Sequence, residues 1–161
     1  DPPLLRLLHG QVIAVRQDLL EAHAHRAVAA GATAIVAPGF DPEIVDYCLD
    51  KGIEVMPGLV TPSEMAQAVK RGLTRVKFFP AEAAGGVAMI KAMCAAYTTV
   101  RVMPTGGISA KNLEEYLSSD KIFCCGGSWM VKGDLIKAGE FDKIKEMTAE
   151  AVGLVKKIRN K

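Results

Sequence analysis

The sequence predicts an α/β fold of parallel strands covered by helices, and three observations carry that reading. Short apolar, strand-like runs recur at 12–15, 34–37, 53–56, 76–79 and 100–103. The helical patterns between them stop at Gly31, Gly52 and Gly72, which lie 21 and 20 residues apart. Four of the strand-like runs lead into a proline, namely Pro38, Pro57, Pro80 and Pro104. Proline cannot donate to a strand ladder, so each marks where the sheet stops. Near-continuous apolar strands that alternate with helices are buried on both faces, as parallel strands are under crossover helices.

Taken in order, residues 1–10 read as a short helical lead-in from Leu4 to Leu8 that ends at His9-Gly10. Val12-Ile13-Ala14-Val15 is a buried strand candidate. Asp18 can cap the next helix, with Glu21 as its capping-box partner, and that helix runs through Leu20, Ala24, Ala27 and Val28 to Gly31. Asp41-Pro42-Glu43 and Thr61-Pro62-Ser63-Glu64 each place a proline at the first helical position behind a capping side chain, and the second is also a capping box. Six strands are expected, near 12–15, 34–38, 53–57, 75–80, 99–104 and 121–125. A last helix over about 140–158 carries Ile144, Met147, Val152, Leu154, Val155 and Ile158 between lysines and glutamates, and packs on the outside.

The 161 residues suit one domain with a real core, and no composition break divides them. Half the residues are hydrophobic (50%) and 24% are charged, which excludes a disordered chain. A net charge of +2 leaves no footprint for nucleic acid or an anionic membrane. No apolar run reaches membrane-spanning length, and Asp1-Pro2-Pro3 does not open a signal peptide. Cys48, Cys94, Cys124 and Cys125 make no Cys-x-x-Cys pair, so they read as reduced core thiols of a cytoplasmic protein rather than a zinc site or disulfide frame. His9, His23 and His25 read as surface or packing residues, and no metal site is expected.

The chemistry centres on Arg75-Val76-Lys77-Phe78-Phe79-Pro80-Ala81-Glu82. An ammonium placed among aromatic and aliphatic side chains loses hydration, which favours the neutral, nucleophilic amine. The bland alternative is a lysine that snorkels its head to water. In a parallel βα barrel the functional groups gather at the carboxyl ends of the strands. Two glycine-rich turns stand at such ends, Pro104-Thr105-Gly106-Gly107-Ile108-Ser109 and Cys125-Gly126-Gly127-Ser128-Trp129. Successive backbone N–H groups in turns of this kind can receive a phosphate, and phosphate sites in such barrels recur after the last two strands. Ser128 can donate a hydroxyl, Ser109 reads as a helix N-cap, and Trp129 reads as packing.

From about Ala27 onward the chain resembles the family of 2-keto-3-deoxy-6-phosphogluconate and 4-hydroxy-2-oxoglutarate aldolases. The motifs that carry the resemblance are Pro38-Gly39, Met56-Pro57-Gly58 with Thr61-Pro62-Ser63-Glu64, Val76-Lys77-Phe78-Phe79-Pro80-Ala81-Glu82, Pro104-Thr105-Gly106-Gly107-Ile108 and Gly126-Gly127-Ser128-Trp129. The resemblance implies that Lys77 is a Schiff-base nucleophile, that Phe79 and Pro80 border the pyruvyl group, and that Thr105, Gly106, Gly107, Gly127 and Ser128 take the phosphate end of a keto-acid substrate. It further implies a class I lyase of Entner–Doudoroff carbohydrate metabolism that needs no cofactor and no metal. A cytoplasmic homo-oligomer, trimeric by resemblance, is expected, with no nucleic-acid or membrane partner.

The chain departs from the family in two ways. The family fold is an eight-stranded TIM barrel, whereas six βα units are visible here, so a shortened barrel is expected over 1–161. Residues 1–26 are its atypical or spliced part and 27–161 its family-like part. The segment that carries the family's proton-shuttling glutamate and carboxylate-binding arginine is not found. Arg16 then becomes the anion-binding candidate, against a plain surface arginine, and Glu82 the nearest alternative acid. Two other readings stand beside the aldolase: a catalytically weak or inert barrel scaffold, and a phosphosugar-binding, isomerase-type barrel in which Lys77 is an electrostatic clamp.

Overall fold

The computed structural model describes the backbone of residues 11–14 and 20–160 and the side chains of residues 24–160. The expected lead-in helix, the Asp18 cap and Arg16 lie outside these residues. The chain divides into two compact units, Asp1–Phe79 and Pro80–Lys161.

The first unit alternates strand and helix. β1 (Gln11–Ala14), β2 (Ala32–Val36) and β3 (Glu54–Met56) form a parallel sheet in that order, with Val12 opposite Ala34 and Ala34 opposite Glu54. A register shift falls between Gln11 and Val12. After Pro57 the chain resumes as β4 (Gly58–Leu59), which pairs in parallel with β5 (Arg75–Phe78). The third expected strand, 53–57, is β3; β4 lies beyond its bounds, and the break between the two falls at Pro57, which has no N–H for the ladder. Its carbonyl still accepts from the Lys77 N–H at 3.0 Å.

The helices α1 (Leu20–Ala29), α2 (Pro42–Asp50) and α3 (Pro62–Lys70) connect these strands. Their starts follow the sequence signals. Asp41 Oδ1 accepts from the N–H groups of Glu43 (3.0 Å) and Ile44 (3.3 Å), with Pro42 in the first turn. Thr61 and Glu64 close a reciprocal capping box, in which Glu64 Oε2 accepts from the Thr61 N–H (2.9 Å) and Thr61 Oγ1 from the Glu64 N–H (3.3 Å). The turns after the helices sit at positive φ, at Gly31 (90°), Gly52 (67°) and Gly72 (77°). There a side chain would be strained, so the helix stops and the chain reverses. Ala34, Ile35, Ile44, Val45, Cys48, Val55, Leu59, Met65, Val76 and Phe78 are buried and supply the core of this unit. His25 stacks on Tyr47 with centroids 4.0 Å apart, the packing role expected of it.

The second unit holds α4 (Gly86–Ala96), β6 (Arg101–Pro104), α5 (Leu113–Leu117), α6 (Gly133–Lys137) and α7 (Phe141–Arg159). The sixth expected strand, 121–125, is not a strand. It meets β6 through two isolated parallel bridges, Val102 with Ile122 and Thr105 with Gly126. From one bridge to the next the chain advances three residues on the β6 side (102 to 105) and four on the other (122 to 126). The extra residue breaks the ladder as a bulge does. Ser109 is not the cap of α5 either. That helix begins four residues later, behind Asn112, whose Oδ1 accepts from the Ser109 N–H at 2.8 Å.

In α7, Ala151 and Ile158 are buried while Val152 and Val155 remain exposed, so the apolar positions of this helix do not all face inward. Cys48 and Cys94 are buried thiols as expected, but Cys124 and Cys125 are only half-buried. No helix among the described residues is long and apolar enough to cross a membrane.

Candidate active site

Lys77 is the third residue of β5, between Val76 and Phe78, both essentially fully buried. Side chains alternate along a strand, so Lys77 leaves the face that its two neighbours fill, and it is half-buried. Its register partner on β4 is Gly58, which puts no side chain beside it. Glycine is required there, because a Cβ on Gly58 would lie 2.0 Å from the carbonyl oxygen of Pro38.

Burial pushes the Lys77 amine below its ordinary pKa, since a desolvated ammonium is disfavoured. The Phe79 ring opposes this, with Nζ 4.7 Å from its centroid. A cation–π contact at an exposed ring is worth about 0.5–1 kcal/mol, and Phe79 is 37% exposed, so the opposing effect is small. Lys77 is thus a partly desolvated amine whose neutral form is more accessible than that of a surface lysine, the property a carbonyl nucleophile needs.

Pro80, an exposed residue, opens the second unit. There the two glycine-rich turns are brought together by the Thr105–Gly126 bridge. The contact is tight, since a Cβ on Gly126 would fall 2.5 Å from Thr105 Cγ2. Gly106 and Gly107 both sit at positive φ, 93° and 82°. Gly127 lies against the Trp129 ring, where a Cβ would be 2.0 Å from Cζ3, so Trp129 packs as expected.

Among the described residues the amide N–H groups of Gly107, Gly127 and Ser128 donate to no other group. Thr105 Oγ1 is buried without a hydrogen-bond partner. Unused donors clustered in one pair of turns suit an anion with several acceptor oxygens.

The 105–109 turn is held from two sides. The N–H groups of Ala81 and Glu82 donate to the carbonyls of Thr105 (2.8 Å) and Gly106 (3.1 Å). Asn112 accepts from the Ser109 N–H and donates to the Gly107 carbonyl at 3.0 Å. Tyr116 on α5 donates its hydroxyl to Glu82 Oε1. Burial first, and then the hydrogen bond to Glu82 and its charge, push the Tyr116 phenol well above its ordinary pKa.

Sequence reasoning missed Asn112 and Tyr116. The only local signal for either is an asparagine three residues after Ser109, a spacing at which an Asx side chain can bond a nearby backbone N–H.

Comparison with known proteins gives the family. The family model for KDPG and KHG aldolase matches residues 8–147. The chain is 42% identical over 146 residues to the 2-dehydro-3-deoxy-phosphogluconate aldolase of Treponema pallidum, covering 91% of this chain and 67% of that protein. It is 40% identical over 147 residues to the enzyme of the same name from Haemophilus influenzae, covering 91% and 66%. The crystal structure of KDPG aldolase from Legionella pneumophila, with pyruvate captured as a covalent carbinolamine intermediate, superposes with a TM-score of 0.79 at 35% identity. That match covers 89% of this chain and 70% of the other. The chain therefore spans about two thirds of the length of these relatives (66–70%). By its sequence, its strand-and-helix order and the turns that follow its strands, the chain belongs to the KDPG and KHG aldolase family.

Proposed function

We propose that this protein is a class I aldolase that cleaves 2-keto-3-deoxy-6-phosphogluconate to pyruvate and glyceraldehyde 3-phosphate, with Lys77 as the nucleophile. The observation that carries this is the desolvated Lys77 amine within the family's Lys-Phe-Phe-Pro segment. The covalent pyruvate adduct named for the Legionella relative lends support. Lys77 Nζ attacks the C2 carbonyl of the keto acid, and loss of water gives an iminium. The C4 hydroxyl then gives up its proton to solvent, its oxygen forms the aldehyde carbonyl, and the C3–C4 bonding pair flows into the iminium, which leaves an enamine of pyruvate and releases the aldehyde. Protonation of the enamine and hydrolysis of the imine return pyruvate and the free amine. The same steps cleave 4-hydroxy-2-oxoglutarate to pyruvate and glyoxylate.

Phe79 and Pro80 are assigned to the pyruvyl end on the family resemblance. Thr105, Gly106, Gly107, Gly127 and Ser128 are assigned to the phosphate, supported by the unused donors of the two turns. Arg16 is kept as a carboxylate or anion contact on sequence position alone. We read 1–161 as one barrel-type domain, in a cytoplasmic homo-oligomer.

Incubation with pyruvate, borohydride reduction and peptide mass mapping test the assignment. A pyruvyl adduct is expected on Lys77 and absent in K77M. A folded protein that gives no adduct overturns the aldolase reading and leaves the inert barrel scaffold or the phosphosugar binder, for which Lys77 is only a clamp. The adduct should also form at lower pH than simple surface lysines allow, because burial holds the Lys77 amine below its ordinary pKa.

A further inference from the structure

Glu82 ends the Lys-Phe-Phe-Pro-Ala-Glu run, and its carboxylate is engaged by a side chain 34 residues further on, the hydroxyl of Tyr116. Around this pair the second unit builds a frame for one turn. The Glu82 backbone donates to the Gly106 carbonyl at 3.1 Å, and its neighbour Ala81 donates to the Thr105 carbonyl at 2.8 Å. The Glu82 side chain lies over Gly107, where a Cβ would come within 2.3 Å of Glu82 Cγ. The Tyr116 hydroxyl also approaches Gly86, whose Cβ would lie 3.3 Å away. Tyr116 itself is fully buried in α5, and the cap of that helix, Asn112, bonds to Ser109 and Gly107.

A turn with glycines at two positive-φ positions is free to form but poor at keeping one shape, since glycine has the widest backbone freedom. What fixes the 105–109 turn must therefore come from its neighbours. The neighbours that touch it include Ala81, Glu82, Asn112 and Gly126, and the Glu82–Tyr116 hydrogen bond ties the first two to the helix that follows the third. Glu82 also stands where an acid–base group would be sought if the family's own glutamate were missing. Its Oε1, however, is committed to a buried phenol.

We propose that Glu82 and Tyr116 are positioning residues that hold the 105–109 turn in the shape that receives the substrate's phosphate, and that Glu82 is not the proton-transfer group. The inference rests on the reading of that turn as a phosphate site. Glutamine at 82 keeps an oxygen that accepts from Tyr116, whereas alanine does not, so the two substitutions separate a framing role from an acid–base role.

The test compares wild type, E82Q, E82A and Y116F in the full-length protein. It reads amide hydrogen exchange at Ala81, Glu82 and Ser109, and steady-state kinetics with the phosphorylated keto acid. Faster exchange in E82A and Y116F is expected. With it should come a KM about tenfold higher and a kcat within about twofold of wild type, the pattern of a lost hydrogen bond that acts on binding. E82Q should match wild type in both readouts.

Unchanged exchange in E82A and Y116F would overturn the framing role. A loss of about a hundredfold or more in kcat for E82Q would instead make Glu82 an acid–base group. A wild-type protein that treats phosphorylated and unphosphorylated keto acids alike would defeat the phosphate reading itself. The exchange rates would then still decide whether the pair holds the turn.

Discussion

At the scale of single residues, burying the Lys77 amine costs stability. Its folded pKa lies below the ordinary value of 10.5, so the unfolded chain binds its proton more tightly than the folded one. Between the folded and unfolded values stability therefore rises with pH, and below the folded value the full penalty applies. K77M should remove that penalty. The variant should melt higher than wild type at neutral pH, and the difference should fade as pH rises through 10.5. Thermal melts of the two proteins across pH check this, and a K77M that melts lower at pH 7 would show that the amine is not penalised by burial.

Thr105 follows the same logic in neutral form. Its Oγ1 is buried without a partner, and an unmet hydroxyl costs on the order of 1 kcal/mol or more. T105V should therefore stabilise the protein by roughly that amount, while its affinity for inorganic phosphate falls by about fivefold to tenfold through the lost donor. Calorimetric titration and melting together check this. A variant that gained neither stability nor lost affinity would take Thr105 out of the phosphate assignment.

At the scale of elements, the helix starts are the best-determined features of the chain. In α3, burial pushes the Glu64 carboxyl up, but hydrogen bonds from the Thr61 side chain and from the Val60 and Thr61 N–H groups outweigh it, and the group titrates below 4.5. Its folded pKa is thus depressed, so its contribution is complete above 4.5 and is lost as pH falls through the folded value. T61A should cost about 1 kcal/mol at neutral pH, the usual worth of a cap. The cost should shrink as pH falls through the folded Glu64 value, which lies below 4.5, because Glu64 is then protonated in both proteins. Urea titrations at neutral and acidic pH check both statements. The weakest expectation at this scale was the strand over 121–125, which one extra residue between two bridges reduces to isolated pairings.

At the scale of the whole molecule, the homo-oligomer read from the family is tested by sedimentation. A mass several times that of one chain is expected, and a monomer at micromolar concentration would remove that reading. The sequence by itself determined the parallel α/β order, the helix caps at Asp41 and Thr61, the glycine turns at 31, 52 and 72, and the placing of Lys77 within an apolar strand. These are legible because their causes are local: a capping oxygen, a missing N–H, a positive φ or an apolar neighbour acts within a few residues. Only the tertiary structure decided that Gly58 must lack a side chain beside Lys77 and that Glu82 bonds to Tyr116. Each of those depends on which distant segments the packing brings within a hydrogen bond or a van der Waals contact, and no spacing along the chain encodes that distance.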